Sequence, residues 1–420
     1  MHMPPMKVQL FFLALSAITV CSTLHADDLV VDTLDDAGPG SLRAAIESAN
    51  SEPGAQVIVF DPSVHGGAIV LQSSLPEITD DIEIIGPGAE LLSIDGNNSH
   101  QIISISAGVT AILSGLTLTQ GSDQLGGGAI VNEGELTLSA ATLIGNKAEF
   151  GGGGAIDNVF GTLTLINSVL ADNEANFGGA LSNFEGSVLI INSTLTGNSA
   201  LQGGAIDNTG LLVIEASTLH ANQAEIGGGI ENAGSVDIIN STLSGNQALE
   251  DGGAIDNFGG ILHLLFVTFA ANEAGLDGQA IWTGPDIDDD EVMARNVIIA
   301  GDGENDCYID EPDSWTTGGH NLAIDPGCTG FQVIDIEDLQ LGPLADNGGP
   351  TLTHAFGPNS LALDTANDCT GFDGLTNVGQ DQRGTPRPQG DHCDIGAYER
   401  IFEDEKEDVI FADRFRRLSP

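Results

Sequence analysis

Short runs in which apolar and polar residues alternate fill most of the chain, and between residues 126 and 281 they recur in units of about 25 residues. Each unit opens on GGAI or a close variant, at 127–130, 153–156, 178–181, 203–206, 227–230 and 252–255, and a degenerate GQAI ends at Ile281. An Asn stands two residues beyond the closing Ile or Leu, at Asn132, Asn158, Asn183, Asn208, Asn232 and Asn257, giving spacings of 26, 25, 25, 24 and 25. The second half of each unit is aligned by Leu143, Leu170, Leu195, Leu219, Leu243 and Phe269. Five residues earlier stand Leu138, Leu165, Ile190, Ile214, Ile238 and Leu264, and seven earlier Leu136, Leu163, Val188, Leu212, Val236 and Leu262. The residues between those two columns, Thr137, Thr164, Leu189, Val213, Asp237 and His263, include charge and belong outside. Alternation with period two is a strand, and a unit filled by Gly pairs, an Asn and this rhythm has no room for a helix.

One coil of short strands cannot bury its inner face alone, whereas coils stacked at the inter-strand spacing of ~4.8 Å bury a continuous core. The fold class is therefore all-β: a right-handed, single-stranded parallel β-helix, a solenoid with a short N-terminal capping helix and an irregular C-terminal cap. A second Asn column, Asn146, Asn173, Asn198, Asn222, Asn246 and Asn272, falls three residues after the aligning Leu. Both columns read as structural ladders, the Asn placed at turns because it tolerates left-handed backbone and its amide both donates and accepts.

The predicted organisation is a signal peptide at 1–26, an N-terminal cap at 27–68, the β-helix at 69–300, a disulfide-containing cap at 301–399 and a charged tail at 400–420. The first segment carries one Lys, an apolar run over 8–21 and a small residue at Ala26, the layout of a cleaved secretory signal. Ser41 caps a predicted helix over 42–50, whose Leu42, Ala45, Ile46 and Ala49 share a face and plug the open end of the solenoid. Strands are predicted at 29–32, 57–60, 68–71, 82–85, 91–94, 102–105, 113–118 and 296–300, with 301–330 a cysteine-clipped excursion. Five basic residues after Glu399 make the tail a candidate sorting or docking signal.

Charge narrows the partners. Removing the one Lys of the signal leaves 10 basic and 61 acidic residues, a net of 10 − 61 = −51, which repels nucleic acid and anionic membranes. The apolar run of the signal is too short to span a membrane, so no transmembrane protein is expected. Four cysteines remain after the signal, Cys307, Cys328, Cys369 and Cys393; an even number in an exported chain favours disulfides, and proximity favours Cys307 with Cys328 and Cys369 with Cys393.

The GGAI phrases resemble the repeats of the chlamydial polymorphic outer membrane proteins, whose motif pair is GGAI and FxxN; FxxN survives literally at residues 269–272. The GPGSLR start at 38–43 and the DQRG (381–384) and DIGAYE (394–399) endings resemble secreted bacterial β-helix proteins with a choice-of-anchor Q domain. The resemblance implies export, surface display and no catalysed reaction. Unlike the chlamydial proteins, the chain has no barrel-length series of strands after Glu399.

For chemistry, the column beside GGAI holds Asp157, Asp207, Glu231 and Asp256, interrupted by Ser182. Neighbouring coils would hold carboxylates roughly 5 Å apart, the two-carboxylate arrangement of glycoside hydrolysis, or the column is an exposed strip copied with the repeat. Pectate-lyase chemistry needs cations for acidic sugar, and between Arg43 and Arg295 the only basic residue besides His is Lys147. Calcium has oxygen-rich clusters at Asp286, Asp288, Asp289, Asp290 and Glu291, and at Asp302, Glu304, Asp306, Asp310 and Glu311, neither with EF-hand spacing. His220 and His263 read as exposed strand residues. The sequence thus favours a non-catalytic exported protein of the cell exterior or outer surface that binds carbohydrate or a protein, with a carbohydrate-active enzyme as the alternative.

Overall fold

A computed structural model of the chain describes residues 28–284, 291–301, 304–309, 315–366 and 368–401. It is an all-β, right-handed parallel solenoid of about 11 turns. The expected signal peptide and the tail from residue 402 lie outside the described residues.

Three parallel sheets run the length of the molecule. Sheet I has 12 strands, from Leu29–Val31 to Trp315–Gly318; sheet II has 12, from Gly67–Val70 to Gln332–Val333; sheet III has 9, from Ile103–Ile105 to Cys307–Ile309. Register follows the repeat: Leu136, Leu163, Val188, Leu212, Val236 and Leu262 stack in sheet I, the Leu143-to-Phe269 column in sheet II, and Ile130, Ile156, Leu181, Ile206, Ile230 and Ile255 in sheet III. All of these side chains are buried in one cluster, and each adds roughly 1.5–3 kcal/mol of burial.

Helix α1 (Leu42–Ser51) closes the N-terminal end as expected: Ser41 Oγ accepts from the Ala44 N–H at 3.2 Å, and Leu42, Ala45, Ile46 and Ala49 enter the same core. Both Asn ladders are buried and continuous. Asn132 Nδ2 donates to Asn158 Oδ1 at 2.7 Å and Asn158 to Asn183 at 2.8 Å; in the other ladder Asn173 donates to Asn198 at 2.9 Å and Asn198 to Asn222 at 2.9 Å. The left-handed backbone expected at these Asn lies elsewhere. It falls on the residue before the second ladder (Gly145, Asp172, Gly197, Ala221, Gly245, Ala271), on a series from Ala140 to Asn296, and on the first Gly of each GGAI phrase, where φ is +62° to +68°. At Gly178 a Cβ would stand 2.0 Å from the Leu181 carbonyl oxygen, so the turn demands glycine twice over.

Four further departures have local causes. The predicted strand 113–118 is two, Thr110–Ser114 and Thr117–Thr119, because Gly115 turns the chain at φ +61°. Asn296 adopts φ +56° and delays the next strand to Ile298–Ala300. The region beyond residue 300 is one more coil rather than an excursion: Cys307 pairs with Ile281, Trp315 with Val292 and Ala323 with Ile299, the apolar spacing persisting after the GGAI phrase has gone. The sheets likewise begin before residue 69, with Gln56–Phe60 and Gly67–Val70 already paired.

The C-terminal unit folds back along the flank of sheet II rather than over the end. Gln382 donates through Nε2 to Ser217 O, Thr218 Oγ1, Thr351 Oγ1 and Leu352 O and accepts from Thr242 Oγ1. Arg387, fully buried over the Phe266 ring, donates to Glu399 Oε2 at 2.9 Å and to the carbonyls of Asp394 and Gly396. The DQRG and DIGAYE segments are thus the clasp that seals a second apolar core, which includes Phe266, Ile298, Phe356 and Tyr398. Disulfides join Cys307 to Cys328 and Cys369 to Cys393.

Candidate functional site

The outward-facing column of sheet III is set by the residue between the buried Ile and the ladder Asn of each coil. Register aligns Asp157, Ser182, Asp207, Glu231, Asp256, Trp282 and Tyr308 in consecutive coils. Three adjacent carboxylates, Asp207, Glu231 and Asp256, therefore stand one inter-strand spacing apart, about 4.8 Å, and run directly into two aromatic rings.

The sequence allowed a copied, exposed strip; the structure half-buries it. Gly126 has no Cβ, and one built there would stand 2.3 Å from Asp157 Oδ2; at Gly152 it would stand 2.6 Å from Ser182 Oγ. The glycine row therefore makes the floor on which the column lies. Desolvation pushes Asp157 and Asp207 up to about 6 and Asp256 to about 7; Glu231, repelled in addition by Asp207 and Asp256, reaches about 8. The Ser182 hydroxyl favours the charged form of Asp157 and partly offsets its burial. None of the four carboxylates makes a salt bridge among the described residues.

Aromatic side chains border the acids. Phe258, Trp282 and Tyr308 form one stack, with centroids 6.4 and 6.0 Å apart and planes within 10°, and the Trp282 ring lies across Gly284. Phe160 and Phe184 meet edge to face at 5.4 Å beside the N-terminal half of the column. On the other side, the turns entering sheet III expose Leu125, Phe150, Leu201, Leu249 and Leu276. This apolar edging was not read from the sequence, although the recurrence of Leu or Phe just before each glycine pair was its signal.

The other candidates fare differently. Asp286, Asp288, Asp289, Asp290, Asp302, Asp310 and Glu311 lie outside the described residues. Glu291 opens a strand of sheet I instead of an acidic loop, and Asp306 is buried beside Gly301 with its N–H donating to Asp325 Oδ2. Among the described residues no three His, Cys, Asp or Glu side chains converge as around a metal ion. His220 and His263 occupy different sheets and are half-buried, not exposed. Burial pulls the His263 imidazole down, but its 2.8 Å bond to Asp237 and the charges of Asp237 and Glu291 carry it above its ordinary value. No helix among the described residues is long and apolar enough to cross a membrane.

No protein-family model matches the chain, and no curated protein matches it. Among solved structures, pectate lyase Pel9A is similar at 12% identity and a TM-score of 0.44, over 86% of this chain and 91% of that one. A PL6 family polysaccharide lyase from Pseudopedobacter saltans is similar at 13% identity and a TM-score of 0.31, over 75% of this chain and 97% of that one.

Proposed function

We propose that the protein is an exported, non-catalytic β-helix protein that binds an extended carbohydrate along the face of sheet III. The observation that carries this reading is the single column in which half-buried carboxylates continue into an aromatic stack. Carboxylates accept hydrogen bonds from sugar hydroxyls, aromatic rings take the apolar faces and edges of the sugar, and the repeat presents both along a line. The column lies along the outward face of sheet III over successive coils, an open track suited to a polymer. With Lys147 held by Glu174 at 2.6 Å, nothing on the track favours an acidic polysaccharide. Isothermal titration against a panel of soluble oligosaccharides tests the reading. Micromolar-range binding that Trp282→Ala weakens at least several-fold supports it, and no binding across the panel refutes it.

A glycoside hydrolase is the second reading, favoured by one observation: Glu231 at about 8 is a carboxylic acid at neutral pH while Asp207 at about 6 is largely a carboxylate, the division of roles a retaining hydrolase uses. Reducing-sugar release that Glu231→Gln and Asp207→Asn each abolish would establish it. Export to the cell exterior or surface is supported by the signal layout and by the two disulfides. Cell fractionation with protease shaving tests it, and retention in the cytoplasm would refute it.

A further inference from the structure

The charge pattern of the sheet III track bears on which sugar it takes, an inference that rests on the carbohydrate-binding reading. Asp123 and Asp251 border the column and add their repulsion to Asp157 and Asp256, so acidic groups line the whole track and a cation laid along it would favour their charged forms. A second observation concerns Asp256 alone. It is only 3% exposed, and its carboxylate receives no hydrogen bond and no ion pair, whereas Asn246 and Asn257 in the same stretch of chain are fully engaged in their ladders. The little exposure it keeps falls on carboxylate oxygens that reach solvent, and a carboxylate this enclosed is costly to charge; what would relieve it is a group bringing both N–H donors and positive charge.

We propose that the track binds a cationic glycan: a linear chain of amino sugars bearing free ammonium groups, laid along the solenoid axis. Asp157, Asp207 and Asp256 occupy alternate coils, about 10 Å apart, a distance comparable to one disaccharide of an extended chain, with Glu231 facing the intervening unit. Ammonium groups at that repeat meet a carboxylate each, and the chain end runs onto Trp282 and Tyr308. The aromatic continuation is what selects a sugar over a flexible polyamine or a basic peptide, because rings offer a saccharide's C–H faces a surface that ammonium groups alone do not use.

The test is calorimetric titration of the full-length protein at low salt with three hexasaccharides: fully deacetylated glucosamine, N-acetylglucosamine and galacturonic acid. Several half-buried ion pairs together amount to about tenfold or more in affinity, so the deacetylated oligomer should bind at least ~10-fold tighter than the acetylated one. The triple substitution Asp207→Asn, Glu231→Gln, Asp256→Asn should erase that difference, weakening the deacetylated oligomer at least several-fold more than the acetylated one. Equal binding of both oligomers by the unmodified protein overturns the charge inference while leaving carbohydrate binding in place. Binding of none overturns both. Spermine or hexalysine binding as tightly as the deacetylated hexamer overturns the assignment to a sugar. Circular dichroism checks folding of the triple variant. Should that variant fail to fold, the salt dependence of the unmodified protein decides: affinity for the deacetylated oligomer must fall as salt rises, and a flat response refutes the proposal.

Discussion

Replacing Glu231 by Gln should make the protein more stable, and only at high pH. The folded-state value of Glu231 is raised from 4.5 to about 8, first by desolvation and then by the charges of Asp207 and Asp256. A raised carboxyl binds its proton more tightly in the folded chain than in the unfolded one. Its contribution is therefore complete below about 4.5 and is lost as pH rises through about 8. A difference of 8 − 4.5 = 3.5 pH units corresponds to about 5 kcal/mol as a ceiling. Desolvation is the larger cause, and the remaining repulsion is shared with two neighbours that are themselves raised, so about 2–3 kcal/mol should be recovered by an uncharged isostere. Gln keeps the shape and cannot ionise. Chemical denaturation at pH 5, 7 and 9 should show coincident midpoints for variant and wild type at pH 5, a partial separation at pH 7 and the full gain at pH 9. A gain of the same size at every pH, or a loss at pH 9, would refute the burial and repulsion assigned to this column. A stretch that the fold would hold better without its charge is the kind of place where stability has been given up for binding.

Other outcomes follow from the same geometry. Asn198→Ala removes the partners of the Asn173 N–H and the Leu170 carbonyl, both buried, and should cost about 2–6 kcal/mol by denaturant midpoint; a loss under about 1 kcal/mol would show that the ladder is not cooperative. Leu195→Asp places an unpaired charge at a fully buried position, and a melting temperature equal to wild type would contradict the register. Glu399→Gln leaves the buried Arg387 without its carboxylate and should cost roughly 3–5 kcal/mol, exposing the flank unit to limited proteolysis before the solenoid itself is cut.

The solenoid was legible because its physics is repeated. A position buried in one coil is buried in all, so the Leu, Ile and Asn columns could be aligned by period alone, and their register followed. What the period did not reveal is where a coil's neighbours contribute something different. Ser168, Ser193, Ser217 and Ser241 form a third ladder, each Oγ accepting the N–H of the row before, yet the column lapses to Ala141 and Val267 at its ends and was missed. The acidic column was legible as a list of residues but not as a half-buried one, because its shelter comes from glycines one coil away. The C-terminal clasp was hidden for the opposite reason. Its partners, Gln382 with Ser217 and Arg387 with Phe266, are more than a hundred residues apart and occur once.

That clasp bears on how such a chain can change length. Its bonds reach Ala216 and Thr218, then Asn240, Thr242 and Ser244, then Thr268, then Asn296, so it spans successive coils at a fixed stride. A whole coil duplicated or lost between residues 126 and 205 slides the upstream rungs along the axis and leaves every one of those bonds in step. The same event between residues 218 and 296 puts half the clasp out of phase with the other half. Copy number is therefore free to drift on one side of Ala216 and locked on the other, and the acidic track could lengthen toward the N-terminus coil by coil while its aromatic end stays where the clasp holds it.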